Sequence, residues 1–156
     1  MDLNLDDQLG FNLVRVASLF KREHARALRE YKLTPEQWQA LATLWRHGVL
    51  KQAEIGRVTM QDAPTVSRML VRMERNGWLK RRSDPSDARS SLVQLTAEGD
   101  QLRHVLPAKL IRHFRAFLRD FPDAEQRQLL SLLRQLRSAT GDLERTEPHS
   151  QRVSGR

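Results

Sequence analysis

Four apolar residues near the middle of the chain repeat at the i, i+3, i+4 and i+7 spacing of a helix that buries one face: Val66, Met69, Leu70 and Met73. Asp62 stands at the start of this pattern, Pro64 falls within its first turn, and Gly77 follows its end. A shorter apolar pattern at 52–58 predicts another helix just ahead of it. Two helices joined by so tight a link are the outline of a helix-turn-helix.

After Gly77 the spacing between apolar residues becomes shorter than that of a helix. The segments "WLKRRS" and "SLVQLT" are short, and the second alternates between its two sides. Between them, "DPSDARS" contains Asp84, Pro85 and Asp87, which favour a turn because Asp side chains bond nearby amides and proline restricts one dihedral angle. This stretch therefore predicts a β-hairpin.

Helical patterns also lie on either side of this unit. Before it, one helix is predicted from near Asp6 to before Leu33. A second helix is predicted from "LTPEQW", where Thr34 and Gln37 can form a capping box, to a stop at Gly48.

After the unit, an apolar helical stripe follows Thr96, and Pro107 within it predicts a kink or a break between two helices. The last helix is predicted from near Asp123. It is apolar on more than one side, which favours burial from more than one direction. Residues 141–156 have almost no apolar content and are predicted to be a disordered tail.

Charge and composition reduce the number of functions that the chain could have. The chain has 27 Lys and Arg against 19 Asp and Glu, a formal net charge of +8, which favours a polyanionic partner such as nucleic acid. It has no cysteine, which excludes disulfides and thiolate metal sites. Without a signal sequence or an apolar run of roughly 20 residues, a soluble, cytoplasmic protein that does not bind membranes is expected.

The ordered motifs resemble those of the MarR family of winged helix-turn-helix regulators. "LTPEQWQAL" looks like the opening of the second helix of that family, and "QAEI" like the first element of its helix-turn-helix. "PTVSRMLVRMERNGWLKRR" resembles its recognition helix running into the wing, "DPSDARS" its wing tip, and "LTAEG" the start of the next helix. With the flanking helices, the likeness extends over nearly the whole chain.

The resemblance implies a mostly α fold with a small β-hairpin wing. In this arrangement, a winged helix-turn-helix DNA-binding region at 34–96 is flanked by an N-terminal dimerisation helix at 1–33 and C-terminal dimerisation helices at 97–140. The terminal helices carry more apolar surface than the winged unit can cover, so they are expected to form a homodimer. An ordinary intramolecular helical layer is the alternative.

The expected partner is double-stranded DNA, read at a pseudo-palindromic operator. Residues of the recognition helix are expected in the major groove, where Arg68 can bond guanine through two hydrogen bonds. Basic residues nearby are expected to contact phosphates, or to serve only as solubility charges. The predicted DNA-binding residues are Lys51, Gln52, Pro64, Thr65, Ser67, Arg68, Arg72, Lys80, Arg81, Arg82, Asp87 and Arg89.

The wing has a more specific prediction. By resemblance, Asp87 holds the guanidinium of Arg89, which reaches the minor groove. A charge-assisted bond can brace an arginine in this way, and a narrow minor groove attracts the positive charge. The alternative is a surface ion pair of little energetic value.

Members of this family commonly respond to small aromatic or phenolic anions, so release of a repressor by such a ligand is implied. Trp38 and Arg68 match positions that relatives use for ligands, and Phe20, His24 and Trp45 are neighbours by helical phase. A tryptophan packed in the core is the alternative for Trp38.

Other functions fit these residues less well. The five histidines are scattered and no Gly-rich phosphate loop is present, so neither an enzyme nor a cofactor is expected. A metal-responsive regulator of the same fold, using His104 and His113, and a helical interaction module that does not bind DNA remain as alternatives.

Overall fold

The structure, a computed structural model, describes residues 4–141. Its elements in chain order are α1 (Leu9–Leu28), α2 (Pro35–His47), β1 (Leu50–Lys51), α3 (Gln52–Thr59), α4 (Ala63–Arg75), β2 (Leu79–Asp84), β3 (Asp87–Leu95), α5 (Ala97–Gln101), α6 (Leu106–Phe117) and α7 (Asp123–Ala139). The predicted fold, mostly α with a small β-hairpin wing, is confirmed. Apart from Gly141, the predicted tail at 141–156 lies outside the described residues.

Local signals set the ends of α2 as predicted. The backbone N–H of Gln37 donates to Thr34 Oγ1 at 3.2 Å, and that of Thr34 donates to Gln37 Oε1 at 3.0 Å. The helix ends at Gly48, whose φ of +76° is a conformation that side chains with a Cβ disfavour.

The first helix is shorter than predicted. A separate 3-10 turn at Leu5–Asp7 precedes α1, and another at Arg29–Tyr31 follows it. Lys32 then has a left-handed backbone with a φ of 54°, which stops the helix before Leu33. Apolar spacing alone does not reveal either turn.

The predicted hairpin is present as β2 and β3, and a third strand joins it. The strand order is β1-β3-β2, all antiparallel, with Leu50 opposite Val93 and Lys51 opposite Leu92. Strand β1 was not predicted because two residues are too few to show an alternating pattern. It connects the hairpin to the start of α3.

The core lies where α2, α3, α4, the sheet and the ends of α1 and α6 meet. Its largest fully buried side chains come from all of these elements: Leu28, Leu41, Leu44, Ile55, Val66, Leu70, Met73, Leu79, Val93 and Leu106. Burying each such side chain contributes roughly 1.5–3 kcal/mol. This core holds the helix-turn-helix and the base of the wing together.

The C-terminal helices show a break at the predicted place. Helix α5 ends at Gln101, and α6 begins at Leu106 with Pro107 in its first turn, so the break rather than the kink is observed. Helix α7 begins at Asp123 as predicted, yet none of its residues is buried within this single chain. None of the described helices is both long and apolar enough to cross a membrane.

Candidate nucleic-acid interface

Helix α4 has one buried and one exposed face. The four apolar residues predicted to face inward are all buried. At its start, Asp62 Oδ1 accepts the backbone N–H of Thr65 at 2.7 Å, and this bond lowers the pKa of the Asp62 carboxyl. The cap therefore orders the first turn of the helix at neutral pH.

The predicted DNA-binding residues of α4 lie outside the core. Pro64, Arg68 and Arg72 are exposed, and Thr65 and Ser67 are half-buried. The guanidinium of Arg68 donates to Thr65 Oγ1 at 3.0 Å. The structure thus places a cation and a hydroxyl side by side near the helix N-terminus, where the helix dipole favours negative charge.

The turn of the wing is built around Asp84. Its carboxylate is only 6% exposed, and Oδ1 accepts both the backbone N–H of Ser86 at 2.9 Å and its hydroxyl at 2.7 Å. These bonds, together with that from Lys51, lower the pKa of Asp84 to about 2. The turn therefore contains a carboxylate that stays ionised at any physiological pH.

Lys51 and Gln52 lie where β1 meets α3. Gln52 is half-buried at the first position of α3. Lys51 Nζ lies 3.1 Å from Asp84 Oδ2, and this bond raises the pKa of the Lys51 ammonium. The ammonium expected to contact phosphate is therefore already paired with the wing.

Asp87 contacts Arg89 differently from the prediction. Asp87 Oδ1 accepts the backbone N–H of Arg89 at 3.1 Å, not its guanidinium. The aspartate thus shapes the backbone of β3, because a carboxylate readily accepts an amide two residues on. The side chain of Arg89 is exposed.

Arg81 is also placed differently from the expectation that it contacts phosphate. Its Nε donates to Glu74 Oε2 at 3.0 Å, its Nη2 lies 3.0 Å from the same oxygen, and its backbone N–H donates to Glu74 Oε1 at 3.0 Å. The backbone bond is the main reason that the pKa of Glu74 is lowered. This pair fastens the wing base to α4. Glu74 was missed because no local spacing rule links an acid at a helix end to the following strand.

The two remaining wing cations, Lys80 and Arg82, are exposed. Among the described residues, neither forms an ion pair.

A cleft of about 480 Å³ lies between α3, the start of α4 and strand β3. Gln52 and Arg57 line it from α3, Ala63 and Val66 from α4, and Arg89 from β3. The wing arginine and the start of the recognition helix therefore share one concave surface.

The predicted ligand residues form two groups rather than one. Trp38 and Trp45 contact edge to face, with ring centroids 5.4 Å apart. Phe20 stacks on Phe114 at 5.5 Å, and His24 lies 4.3 Å from the same ring. The bond described for Arg68 goes to Thr65 and to neither aromatic group.

Two histidines lie beside Phe114, and burial shifts the pKa of one of them. It lowers the pKa of His24, so that imidazole is neutral at physiological pH. His113 is a candidate ligand in the metal-responsive alternative. In the structure its Nε2 lies 3.0 Å from Glu23 Oε2. Glu23 is buried at 7% exposure, and its pairing with an α6 residue was not predicted from the sequence.

Known proteins are similar to this chain in both sequence and fold. The MarR family profile matches residues 33–91. The HTH-type transcriptional regulator PecS of Dickeya dadantii is 32% identical over 136 residues, which cover 85% of this chain and 82% of PecS.

Two solved structures extend the likeness. A probable transcriptional regulator from Pseudomonas aeruginosa is 33% identical, with a TM-score of 0.76 over 85% of this chain and 99% of its own. Reduced AbfR bound to DNA is 29% identical, with a TM-score of 0.66 over 87% of this chain and 94% of its own. The helix-turn-helix, the wing and the similarity to these relatives show that the chain belongs to the MarR family of transcriptional regulators, which are non-enzymatic DNA-binding proteins.

Proposed function

We propose that the protein reads a pseudo-palindromic operator with α4 in the major groove and the wing in the adjoining minor groove. The observation that carries this proposal is the cleft between the start of α4 and Arg89. A sugar-phosphate strand separates the two grooves of B-DNA, and a protein that enters both must leave room for it. The cleft supplies that room, with Arg57 on its wall to face the phosphates.

Sequence preference comes mainly from α4. Arg68 is exposed near the helix N-terminus, and the major groove admits a helix at its N-terminal end. A bidentate bond from its guanidinium to guanine discriminates against the wrong base by roughly 1–3 kcal/mol. Lys80 and Arg82, which are exposed and form no ion pair among the described residues, contact phosphates and carry no sequence information.

The protein acts as a homodimer formed by α1, α6 and α7. Large apolar side chains of these helices face solvent in the single chain, including Leu9 at 66%, Ile111 at 61% and Leu132 at 53% exposure. Monomeric proteins rarely expose apolar surface of this extent. A two-fold dimer covers it and presents two copies of α4 to half-sites one helical turn apart.

Regulation follows from this arrangement. A dimer bound to an operator within a promoter blocks access of the polymerase, and we infer that the protein acts as a repressor in this way. A small aromatic anion releases it by binding beside α1 and α2, where the two aromatic groups lie. The neutral His24 supplies a hydrogen-bonding group there, and the rings supply stacking surface.

The experiment is selection of bound duplexes from random-sequence DNA, followed by titration of the recovered operator. Arg68→Ala is expected to flatten the sequence preference, because a base contact is lost. Lys80→Ala is expected to weaken all sequences alike and to reduce the slope of log affinity against log salt by about 1.8, which is about 0.9 for each of the two subunits of the dimer. Preserved preference and affinity in Arg68→Ala would refute the role given to α4.

Effector release has its own test. Benzoate, salicylate and phenylacetate are added to the operator complex, and the fraction of bound DNA is measured. Release by one of them, abolished in Trp38→Ala, supports the effector. If none of them shifts the complex, release by a simple aromatic acid is wrong, while the DNA-binding mode stands unaffected.

A further inference from the structure

We propose that Lys51 is a positioning residue that braces the wing so that Arg89 reaches the minor groove, and is not a phosphate contact. This inference rests on the DNA-binding mode proposed above. It starts from one ion pair, between Lys51 Nζ and Asp84 Oδ2 at 3.1 Å, which links the start of α3 to the tip of the wing.

Both ends of this ion pair are fixed in place. The backbone N–H of Lys51 donates to Glu54 Oε2 at 2.7 Å, which ties Lys51 to the first turn of α3. At the other end, Ser86 occupies Asp84 Oδ1 through two hydrogen bonds, so that Oδ2 is left for the lysine. The pair is therefore a link between two ordered turns.

The far part of the wing needs such a link. Strand β1 pairs only with Leu92 and Val93 of β3, so residues 83–91 extend past it as a two-stranded ribbon. Among the side-chain hydrogen bonds and ion pairs of the described residues, Lys51 to Asp84 is the one that joins this ribbon to the helix-turn-helix. Arg89 lies on the ribbon, and two-stranded ribbons twist more freely than larger sheets.

The alternative role for Lys51 is electrostatically unfavourable. The ammonium has three N–H groups, but turning its charge toward a phosphate would draw it away from Asp84, whose side chain is only 6% exposed. Asp84 Oδ2 would then lose its cation while facing the negative charge of DNA, and the two bonds from Ser86 would remain on Oδ1 alone. The ammonium therefore stays with Asp84 in the complex.

Whether Asp84→Asn strengthens or weakens DNA binding decides between the two roles. This change adds one positive charge to the protein and frees Lys51, so a phosphate-contact role predicts tighter binding to a duplex selected from random-sequence DNA. A bracing role predicts weaker binding, by about ten-fold, which is the equivalent of one hydrogen bond to a charged group. Lys51→Met is expected to lose about the same factor, and Lys51→Arg to restore most of it.

Two control variants separate the effect of losing the Lys51–Asp84 ion pair from the effect of changing the net charge. Asp120→Asn removes an exposed acid after α6 and is expected to leave affinity unchanged. Lys80→Met removes an exposed wing cation without a partner among the described residues, and it is expected to weaken binding without changing the groove contacts. Circular dichroism of each variant confirms that it is folded before titration.

Methylation by dimethyl sulfate reports the two grooves separately, since it modifies guanine N7 in the major groove and adenine N3 in the minor groove. In Lys51→Met and in Asp84→Asn, adenines under the wing are expected to lose protection while guanines under α4 keep it. In an Arg89→Ala background, Lys51→Met is expected to cause no further loss of affinity, because the residue it positions is gone.

Tighter binding by Asp84→Asn, or retained adenine protection in Lys51→Met, would overturn the brace. So would full additivity of Lys51→Met with Arg89→Ala. If Arg89→Ala itself leaves adenine protection intact, the wing does not enter the minor groove, and it is the proposed DNA-binding mode that fails.

Discussion

Gly99 joins the C-terminal helices to the base of the wing, and adding one methyl group there tests that junction. The residue lies in α5 against the backbone of Trp78. A Cβ at Gly99 would overlap the carbonyl oxygen of Trp78 and lie 2.8 Å from its carbonyl carbon. Carbon atoms are in favourable contact only from about 3.5 Å, so either α5 or the chain at Trp78 must move.

Three hydrogen bonds converge at this point and would be strained by the movement. The backbone N–H of Thr96 donates to the Trp78 oxygen at 3.1 Å, and that of Gly99 donates to Thr96 Oγ1 at 3.1 Å. The indole N–H of Trp45 donates to the Gly99 oxygen at 3.0 Å. Overpacking costs about 1–3 kcal/mol, and each lost bond about 1 kcal/mol. Gly99→Ala is therefore expected to lower the free energy of unfolding by about 4 kcal/mol.

Urea denaturation followed by circular dichroism measures this change. All variants are compared at one protein concentration, because the stability of the proposed dimer would depend on it. Gly10→Ala is the matched control, since a Cβ at Gly10 in α1 meets nothing within 4 Å. It is expected to be unchanged or up to about 1 kcal/mol more stable, because alanine favours helix. A Gly99→Ala protein within about 1 kcal/mol of the parent would refute the reasoning.

Three further predictions concern the wing and the dimer. Glu74→Ala is expected to cost about 1 kcal/mol in urea denaturation, a modest value because the Glu74 side chain is 35% exposed and solvent screens its pair with Arg81; no loss would show that the pair does not hold the wing base. Leu132→Glu is expected to yield monomers in analytical ultracentrifugation. Met60→Glu is the control, since Met60 is also a large apolar residue and is 84% exposed, but lies on the helix-turn-helix; this variant is expected to remain dimeric. Dimers in both variants would place the interface elsewhere. The pKa of Asp84 is lowered from 3.8 to about 2, so its contribution to folding is present in full above pH 3.8 and lost as the pH falls toward 2. The difference in unfolding free energy between the parent and Asp84→Asn should follow that course, and a difference that vanished near neutral pH would contradict it.

Much of the architecture could be predicted because its signals are local. The buried face of α4 follows from residues three and four apart, and the start of α2 from Thr34 and Gln37 within one turn. The hairpin follows from a shorter period and from residues that favour turns. Such features depend on neighbours within a few positions, and those neighbours are read directly from the chain.

The roles of individual charges could not be predicted in the same way. Lys51 and Arg81 were expected to contact phosphates or to serve as solubility charges, yet they are paired with Asp84 and Glu74. Arg89 was expected to be held by Asp87 through its guanidinium, yet Asp87 bonds its backbone and the arginine lines the cleft. The partners of Lys51 and Arg81 lie on other elements. Which acid a flexible basic side chain meets depends on how a strand and a helix are packed.

The sequence by itself therefore determined the helices, their caps, the hairpin and the resemblance to the MarR family. Only the tertiary structure decided that Lys51 pairs with Asp84 and Arg81 with Glu74, that Asp87 bonds the backbone of Arg89, and that α7 buries none of its leucines within one chain. The physical reason is range. Backbone preference and apolar period act over a turn or two, whereas ion pairs and buried surface are defined only once distant segments are packed together.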